Sequence, residues 1–200
     1  MVRKMGVRHG AICGALTLAL LAAPAAADRL IDGKAAAELG DYETAVAIWT
    51  PLAEANDPRA ETYLGIMYDN GYGVPQDREA AFRWFERAAD RGYAKAQYHL
   101  GFMYHHGRGV QRSQSEALRW YHSAAAQGDP AAQYNLGRMY THGLAVPRDL
   151  VEAHMWMALA SRDRTSIRPL ATRDQRALER RMSEAEVELA VERAENWRPG

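Results

Sequence analysis

Cysteine is almost absent from this sequence, since Cys13 is the only one among its 200 residues. A single thiol cannot form a disulfide within the chain, so packing alone must hold the fold together. The sequence also has no excess of one charge, because 25 lysines and arginines face 25 aspartates and glutamates. This balance gives no electrostatic reason to expect binding to nucleic acid or to an anionic membrane.

The motifs of common enzyme classes are missing as well. The chain contains no Gly-x-Ser-x-Gly, no phosphate-binding loop, no dinucleotide fingerprint and no His-Glu-x-x-His. Its carboxylates are predicted to lie at surface positions, and no pair of them stands out as an acid and a base. We therefore expect a protein that is not an enzyme and that needs no cofactor and no metal.

The longest apolar run lies at the N-terminus. It follows the plan of a secretory signal, with a basic start, an apolar stretch and a small-residue cleavage site: Arg3, Lys4 and Arg8, then residues 10–23, then residues 25–27. The apolar stretch is short for a permanent membrane span. We expect cleavage after Ala27, which removes Cys13. The mature chain would be slightly acidic, would have no stable membrane span, and would be periplasmic or secreted.

A pattern that repeats every 36 residues dominates the rest of the chain. Its clearest copy is Ala96, Leu100-Gly101, Met103-Tyr104 and Gly107-x-Gly109-Val110, with further copies that start at Ala60 and at Ala132. A second pattern with the same period lies between them: Ala81-x-x-Trp84-x-x-x-Ala88, and the same spacing from Ala117 and from Ala153. A fixed period in the range of about 20–50 residues indicates a stacked repeat array.

Each unit is predicted to hold two helices joined by a glycine turn. In the first pattern the apolar residues form one face of a helix, and the Gly-x-Gly segment ends it. Asp77, Ser113 and Asp149 are N-cap residue types that open the second helices. Glycines also occur in the middle of the first helices, where they favour close approach of the alanine-rich face of the neighbouring helix: Gly65, Gly101 and Gly137.

These signals predict helices over residues 30–39, 42–55, 58–70, 78–90, from about 93, 114–127, 130–142, 150–161, 173–182 and 184–197. Pro51 is expected to kink or shorten the second of them. Thr172 and Ser183 are expected to start capping boxes of the last two. Trp49, 35 residues before Trp84, is interpreted as its counterpart in a divergent first unit.

The domain organisation follows from the same period. After the signal peptide over residues 1–27, the predicted segments are a divergent helical repeat, three full repeats, and a linker with C-terminal capping helices: 28–56, then 57–92, 93–128 and 129–161, then 162–200. Terminal units of a stacked array need a polar outer face, and the charge-rich last segment suits that role.

This pattern resembles the Sel-one-like repeat, an α/α solenoid family close to the tetratricopeptide repeats. The resemblance covers residues 41–161 and rests on the Leu-Gly, Met-Tyr, Gly-x-Gly-Val and Ala-x-x-Trp positions that recur in register. It implies an all-α, right-handed α/α superhelical solenoid with a C-terminal helical cap. It also implies a concave face, lined by the first helices, that holds a partner protein. Family members act as adaptors in envelope signalling, polysaccharide export and host interaction.

The first hypothesis is therefore a monomeric, non-catalytic interaction scaffold or adaptor, with an envelope signalling regulator as a narrower version. Two other functions remain open. One is a cell-wall or exopolysaccharide-binding module of a secretion or assembly apparatus. The other is a β-lactam hydrolase-like activity, which is linked to a cysteine-rich branch of the resembling family, whereas the mature chain would have no cysteine.

The candidate contacts with a protein partner are non-core positions of the first helices: Tyr63, Ile66, Asn70, His99, Phe102, His106, Asn135, Arg138 and His142. Trp84, Trp120 and Trp156 are predicted to be core residues, with an aromatic ladder for glycan as the alternative. The histidines are expected to cap helix C-termini as imidazolium ions. Equivalent histidines of adjacent repeats would lie about 10 Å apart, too far to share a zinc ion that needs about 2.1 Å to each ligand.

Overall fold

The structure is a computed structural model that describes residues 26–162 and 164–200. These residues form ten α-helices and no strand: α1 (Ala26–Glu38), α2 (Tyr42–Glu54), α3 (Pro58–Asn70), α4 (Arg78–Asp90), α5 (Ala94–His106), α6 (Gln114–Ala126), α7 (Pro130–His142), α8 (Leu150–Arg162), α9 (Arg168–Glu179) and α10 (Glu184–Asn196). The all-helical prediction is confirmed. Nearly all of the predicted signal peptide lies outside the described residues.

Most helices begin at the capping residues that the sequence indicates. The side chains of Asp57, Asp77, Ser113 and Asp129 each accept a hydrogen bond from a backbone N–H two or three residues later. Ser183 forms a complete capping box at the start of α10. These bonds satisfy N–H groups of the first turn that have no partner within the helix. α5 begins at Ala94, next to the predicted start near residue 93, and has no side-chain cap.

One predicted helix start is wrong, and the shortening expected at Pro51 does not occur. Thr172 lies inside α9, which begins at Arg168, because Pro169 has no backbone N–H and suits a first turn. Pro51 does not shorten α2, which has the same 13 residues as α3. Pro51 and Ala47 are both exposed. Water can therefore reach the Ala47 carbonyl, which lacks the N–H that proline removes.

The helices pack as successive pairs. α1 packs with α2, α3 with α4, α5 with α6 and α7 with α8, and the second helix of each pair also packs on the first helix of the next. We call the first members the A helices and the second members the B helices. α3 also contacts α5 directly, so these two A helices are neighbours. The array ends differently, because α9 and α10 both pack on α8.

A large B-helix side chain lies on a glycine of the A helix in every pair: Trp49 on Gly33, Phe85 on Gly65, Tyr121 on Gly101 and Met157 on Gly137. A Cβ at Gly65 or Gly101 would lie only 2.6 or 2.8 Å from a ring carbon, so any larger residue would push the helices apart. The close approach predicted at these glycines is confirmed. The expectation that an alanine-rich face fills the space is wrong, since a large side chain does.

This contact also corrects the alignment of the first unit. Trp49 lies on its glycine as Phe85 does, and Phe85 is one full period of 36 residues further along the chain. Trp49 is therefore the counterpart of Phe85 and not of Trp84. Its indole Nε1 donates a hydrogen bond to the carbonyl of Leu30 at 3.4 Å, which adds a second link between α1 and α2.

The three repeated tryptophans connect each unit to the preceding one. Trp120 belongs to the core cluster that contains Phe85, and Trp156 belongs to the cluster that contains Tyr121. They are 8% and 5% exposed, which confirms them as core residues. Trp84 is only half-buried, and the Arg87 guanidinium lies 4.6 Å from its ring. The B helices α4, α6 and α8 thus each use one large residue within their unit and a second one between units.

One carboxylate is not at the surface, contrary to expectation. Glu61 on α3 is fully buried, and its oxygens lie 2.8 Å from Arg91 and 3.0 Å from Arg87. Both arginines also donate to the side-chain oxygen of Asn56. This network ties the A helix to the C-terminal end of the B helix in the same unit. Burial raises the pKa of Glu61, and the two guanidinium groups act in the opposite direction.

The same repeat position is neutral in the next two units. There a buried glutamine donates from its amide to a carbonyl of the preceding helix at 3.3 Å: Gln97 to Ala89 and Gln133 to Ala125. A carboxylate cannot donate, so in the unit of α3 and α4 the corresponding carbonyl, that of Ala53, accepts from Arg87 instead. These three units therefore satisfy the same buried acceptor, but with different side chains.

We expect Gly101→Ala to lower the free energy of unfolding by about 1–3 kcal/mol, because the new methyl group overlaps the Tyr121 ring. Glycine to alanine inside a helix would otherwise stabilise by about 1 kcal/mol, so the sign of the change is diagnostic. Urea denaturation followed by circular dichroism measures it. In a Tyr121→Ala background the methyl group has space, and the substitution should no longer destabilise. An equal loss in both backgrounds would contradict the contact.

Arg91→Ala should destabilise the fold by about 2 kcal/mol, because it leaves the buried carboxylate of Glu61 with one arginine fewer. The double substitution Glu61→Gln/Arg91→Gln recreates the contact of the next unit, where Gln127 donates to Gln97 at 2.8 Å. It should stay within about 1 kcal/mol of wild type. Urea denaturation compares the three proteins. A double variant as unstable as Arg91→Ala would show that the charge is not the cause.

Candidate functional site

All nine candidate contacts lie on three successive A helices: Tyr63, Ile66 and Asn70 on α3; His99, Phe102 and His106 on α5; Asn135, Arg138 and His142 on α7. We call these nine residues the A face. Asn70, His106, Arg138 and His142 are exposed, and the other five are half-buried. Every one of them therefore keeps surface that a partner can reach.

The α3 part of the A face is largely engaged within the fold. The Tyr63 ring stacks on Trp49 with 4.6 Å between centroids. Ile66 packs against the core clusters of both adjoining units. The Asn70 amide donates to the carbonyl of Ile66 at 2.9 Å. This part offers a preformed apolar surface whose side chains are held in place by their own neighbours.

His99 does not cap a helix end, contrary to expectation. It lies in the middle of α5, and its ring is parallel to Phe85 with 4.7 Å between centroids. Burial, helped by the nearby charge of Lys95, lowers the pKa of His99 to about 4. The imidazole is therefore neutral at pH 7, where it serves as a flat aromatic surface rather than as a cation.

The C-terminal end of α5 gathers a cluster of rings and cations. The His106 ring lies 4.3 Å from Phe102 and 4.7 Å from His105, and the Arg108 guanidinium lies 5.9 Å from Phe102. His106 is the last residue of α5, as predicted. Burial lowers the pKa of both histidines, and nearby positive charges including Arg138 lower it further. The expectation that these two act as imidazolium caps is therefore wrong at neutral pH.

The α7 part of the A face is continued by α9. The Arg138 guanidinium lies 5.9 Å from the Tyr134 ring, and the Tyr134 hydroxyl donates to Asp174 of α9 at 2.8 Å. Arg138, His142, Asp174 and Arg181 line a cavity of about 130 Å³ between α7, α8 and α9. Burial raises the pKa of Asp174, but hydrogen bonds from Arg173 and Tyr134 and the charge of Arg138 outweigh it, so the pKa is lowered.

The sequence prediction missed this role of α9, which it treated only as part of the cap. A signal for it exists in the sequence. Pro58 and Pro130 open the A helices α3 and α7, and Pro169 occupies the first turn of α9 in the same way.

The remaining contact of the A face, Asn135, bonds within its own helix, because its amide donates to the Ala131 carbonyl at 2.9 Å.

Residues 26–162 and 164–200 contain no group of three or more histidine, cysteine, aspartate or glutamate side chains that could hold a metal ion. Over the same ranges, no helix combines the length and the apolar character needed to cross a membrane.

Paired helices stacked in register, with one helix of each pair aligned along a common face, define a helical-repeat solenoid. The Sel1 repeat model matches residues 58–93, 94–129 and 130–163, more than half of the sequence, and the chain belongs to this repeat family. Sel1 repeats are generally protein–protein interaction modules. No curated protein matches the chain.

Two solved structures are similar to this chain. A Sel1 repeat protein from Oxalobacter formigenes is 34% identical, with a TM-score of 0.63 over 66% of this chain and 54% of its own. The protective antigen c5321, present in uropathogenic Escherichia coli strains and displaying an SLR fold, is 28% identical, with a TM-score of 0.72 over 84% of this chain and 40% of its own. The chain thus spans about half the length of the first protein and less of the second.

The free energy of unfolding should fall with decreasing pH between about 6.5 and 4, because His99 binds a proton more weakly in the folded state than in the unfolded state. This stabilisation is complete above the unfolded pKa and is lost as the pH approaches the folded one. His99→Phe keeps a ring on Phe85 but cannot titrate. From pH 7 to about 4.5, wild type should lose about 2 kcal/mol more than His99→Phe in urea denaturation. Equal losses would contradict the effect.

Proposed function

We propose that this chain is an exported, non-catalytic adaptor that binds a partner protein along its A face. One observation carries the proposal: α3, α5 and α7 align side chains from equivalent repeat positions on one surface. Helical-repeat arrays build extended binding surfaces from one helix of each unit. Binding would hold the partner or occlude it, and neither action needs a reacting group.

The chemistry of the A face suits a protein partner. Its middle holds the ring of Phe102 with the exposed His106, and its α7 end holds the exposed Arg138 and His142. Aromatic residues and arginine are enriched in protein interfaces and dominate their binding energy. Because the rings of Phe102 and His106 already pack against one another, little side-chain entropy would be lost on binding.

A glycan-binding module would need aromatic faces open to the sugar rings. Here Tyr63 stacks on Trp49, His99 lies flat on Phe85, and Phe102 is approached by both His106 and Arg108. The rings of the A face are therefore used mainly within the protein. This supports a protein partner, which can be bound through ring edges, hydrogen bonds and charges, over a cell-wall or exopolysaccharide ligand.

The exported location is part of the proposal and rests on the sequence of residues 1–27. The basic start, the apolar stretch and the alanines before Asp28 have the order that signal peptidase requires. A periplasmic or secreted adaptor could act on an envelope signalling protein, which is the narrower form of the proposal.

A crosslinking pulldown from the periplasmic fraction tests both the adaptor function and the exported location. Wild type should recover one defined protein, and Phe102→Asp and Arg138→Glu should each reduce that recovery at least about tenfold. As a control, Arg83→Glu makes the same charge change as Arg138→Glu, but at an exposed position of the B helix α4. It should leave recovery unchanged.

Circular dichroism melts identify variants that do not fold, and Arg138 is exposed enough to be replaced safely. Capture of wall glycan alone, or no specific capture, would overturn the adaptor proposal. Absence of the chain from the periplasm and from the medium would overturn the export proposal.

A further inference from the structure

The outer face of α9 carries a stripe of arginines. Arg168, Arg176 and its C-cap Arg180 are all exposed, and with Pro169, Thr172 and Arg173 they line an open groove of about 620 Å³. The four-residue spacing of Arg176 and Arg180 places them one above the other on the helix. The whole sequence has equal numbers of basic and acidic residues, so this concentration of positive charge is local.

These charges are largely unneutralised. Among the residues that the structure describes, the side chains of Arg168, Arg176 and Arg180 form no ion pair, and only Arg173 has a partner, Asp174 at 2.8 Å. Several arginines elsewhere do pair with carboxylates of another helix: Arg87 and Arg91 with Glu61, Arg108 with Asp69 and Arg193 with Glu152.

A polar outer face is expected on a terminal helix, but a stripe of one sign goes beyond that need. Like charges four residues apart destabilise a helix, and mixed charges would make the end equally soluble without this cost. The unneutralised stripe is therefore explained better by a ligand of opposite charge than by capping alone.

We propose that the arginine stripe of α9 binds an acidic segment of the partner protein. Arg176 and Arg180, four residues apart, are separated by about 6 Å along the helix, and Arg168 lies two such steps before Arg176. Alternate side chains of an extended peptide are spaced about 6.6 Å, so carboxylates at every second position match the stripe. Guanidinium groups form bidentate hydrogen bonds with such carboxylates. Pro169 in the groove and the exposed Leu170 beside it supply an apolar contact that a protein segment can use.

The helix that carries the stripe lies next to the A face. Arg138 of the A face is close enough to Asp174 of α9 to lower its pKa, and Arg181 of the same α9 end lines a cavity with Arg138. A partner bound along α5 and α7 would therefore meet α9, whose outer side carries the stripe. This inference rests on the proposed adaptor function and adds the chemistry of one part of the partner.

Fluorescence anisotropy tests the inference with a short labelled peptide that has glutamate at alternate positions and leucine at one end. Wild type should bind it, and a rise in salt should weaken binding, because exposed charges are screened. Arg176→Glu/Arg180→Glu should weaken binding at least about tenfold, and Arg176→Gln/Arg180→Gln should weaken it less. Arg83→Glu/Arg148→Glu makes the same total charge change at other exposed positions and should keep the affinity within about twofold.

Four outcomes would overturn the inference. The first is equal weakening by the control pair, and the second is no binding of the peptide by wild type. The third is tighter binding of a polyuronate than of the peptide in the same assay. The fourth is sedimentation of wild type as a dimer that Arg176→Glu/Arg180→Glu dissociates, which would assign the stripe to a second copy. Phe102→Asp should still bind the peptide. If it loses the partner in the pulldown while the α9 variants keep it, the adaptor function stands and the stripe has no part in it.

Discussion

The contact between one large B-helix side chain and one A-helix glycine determines how closely the two helices of each unit can pack. The glycine has no Cβ, and a ring or a methionine chain occupies that space. Of the two residues in this contact, the glycine is the one that the packing requires. The side chains that lie on it differ greatly in shape: Trp49, Phe85, Tyr121 and Met157. Residues 26–200 contain no cysteine, so this contact and the tryptophans between units take the place of covalent links in holding the stack.

A second constraint acts where the chain turns from a B helix into the next A helix. A buried carbonyl there must find a donor, and the structure shows two solutions. Gln97 supplies the donor from its own side chain, whereas the equivalent Glu61 cannot, so Arg87 supplies it and also neutralises the carboxylate. The geometry of the acceptor is retained while the chemistry of the donor changes. Repeats that look divergent in sequence can therefore stack in the same way.

Features that depend on a few adjacent residues could be predicted from the sequence. Helix starts at Asp57 and Asp129 follow from local capping, and the period of 36 residues predicts the order of the units. The errors concern contacts between helices. Nothing near His99 in the sequence shows that Phe85 lies against its ring, and nothing near Glu61 shows that it is buried. The sequence pairs Trp49 with Trp84 because the repeated tryptophan is the stronger signal, whereas the glycine contact pairs it with Phe85.

The two ends of the A face differ in charge. Around α5 the pKa values of His105 and His106 are lowered, so these rings add no positive charge at neutral pH. Around α3 the surface is apolar and engaged in stacking, as Tyr63 shows. Positive charge is carried instead by arginines, from Arg108 and Arg112 at the end of α5 through Arg138 to α9. Complementary charge fixes the orientation and speeds the association of partners more than it adds affinity. A partner with apolar residues at one end and carboxylates at the other would bind this surface in one orientation, because reversing it would place acidic groups on the apolar α3 end.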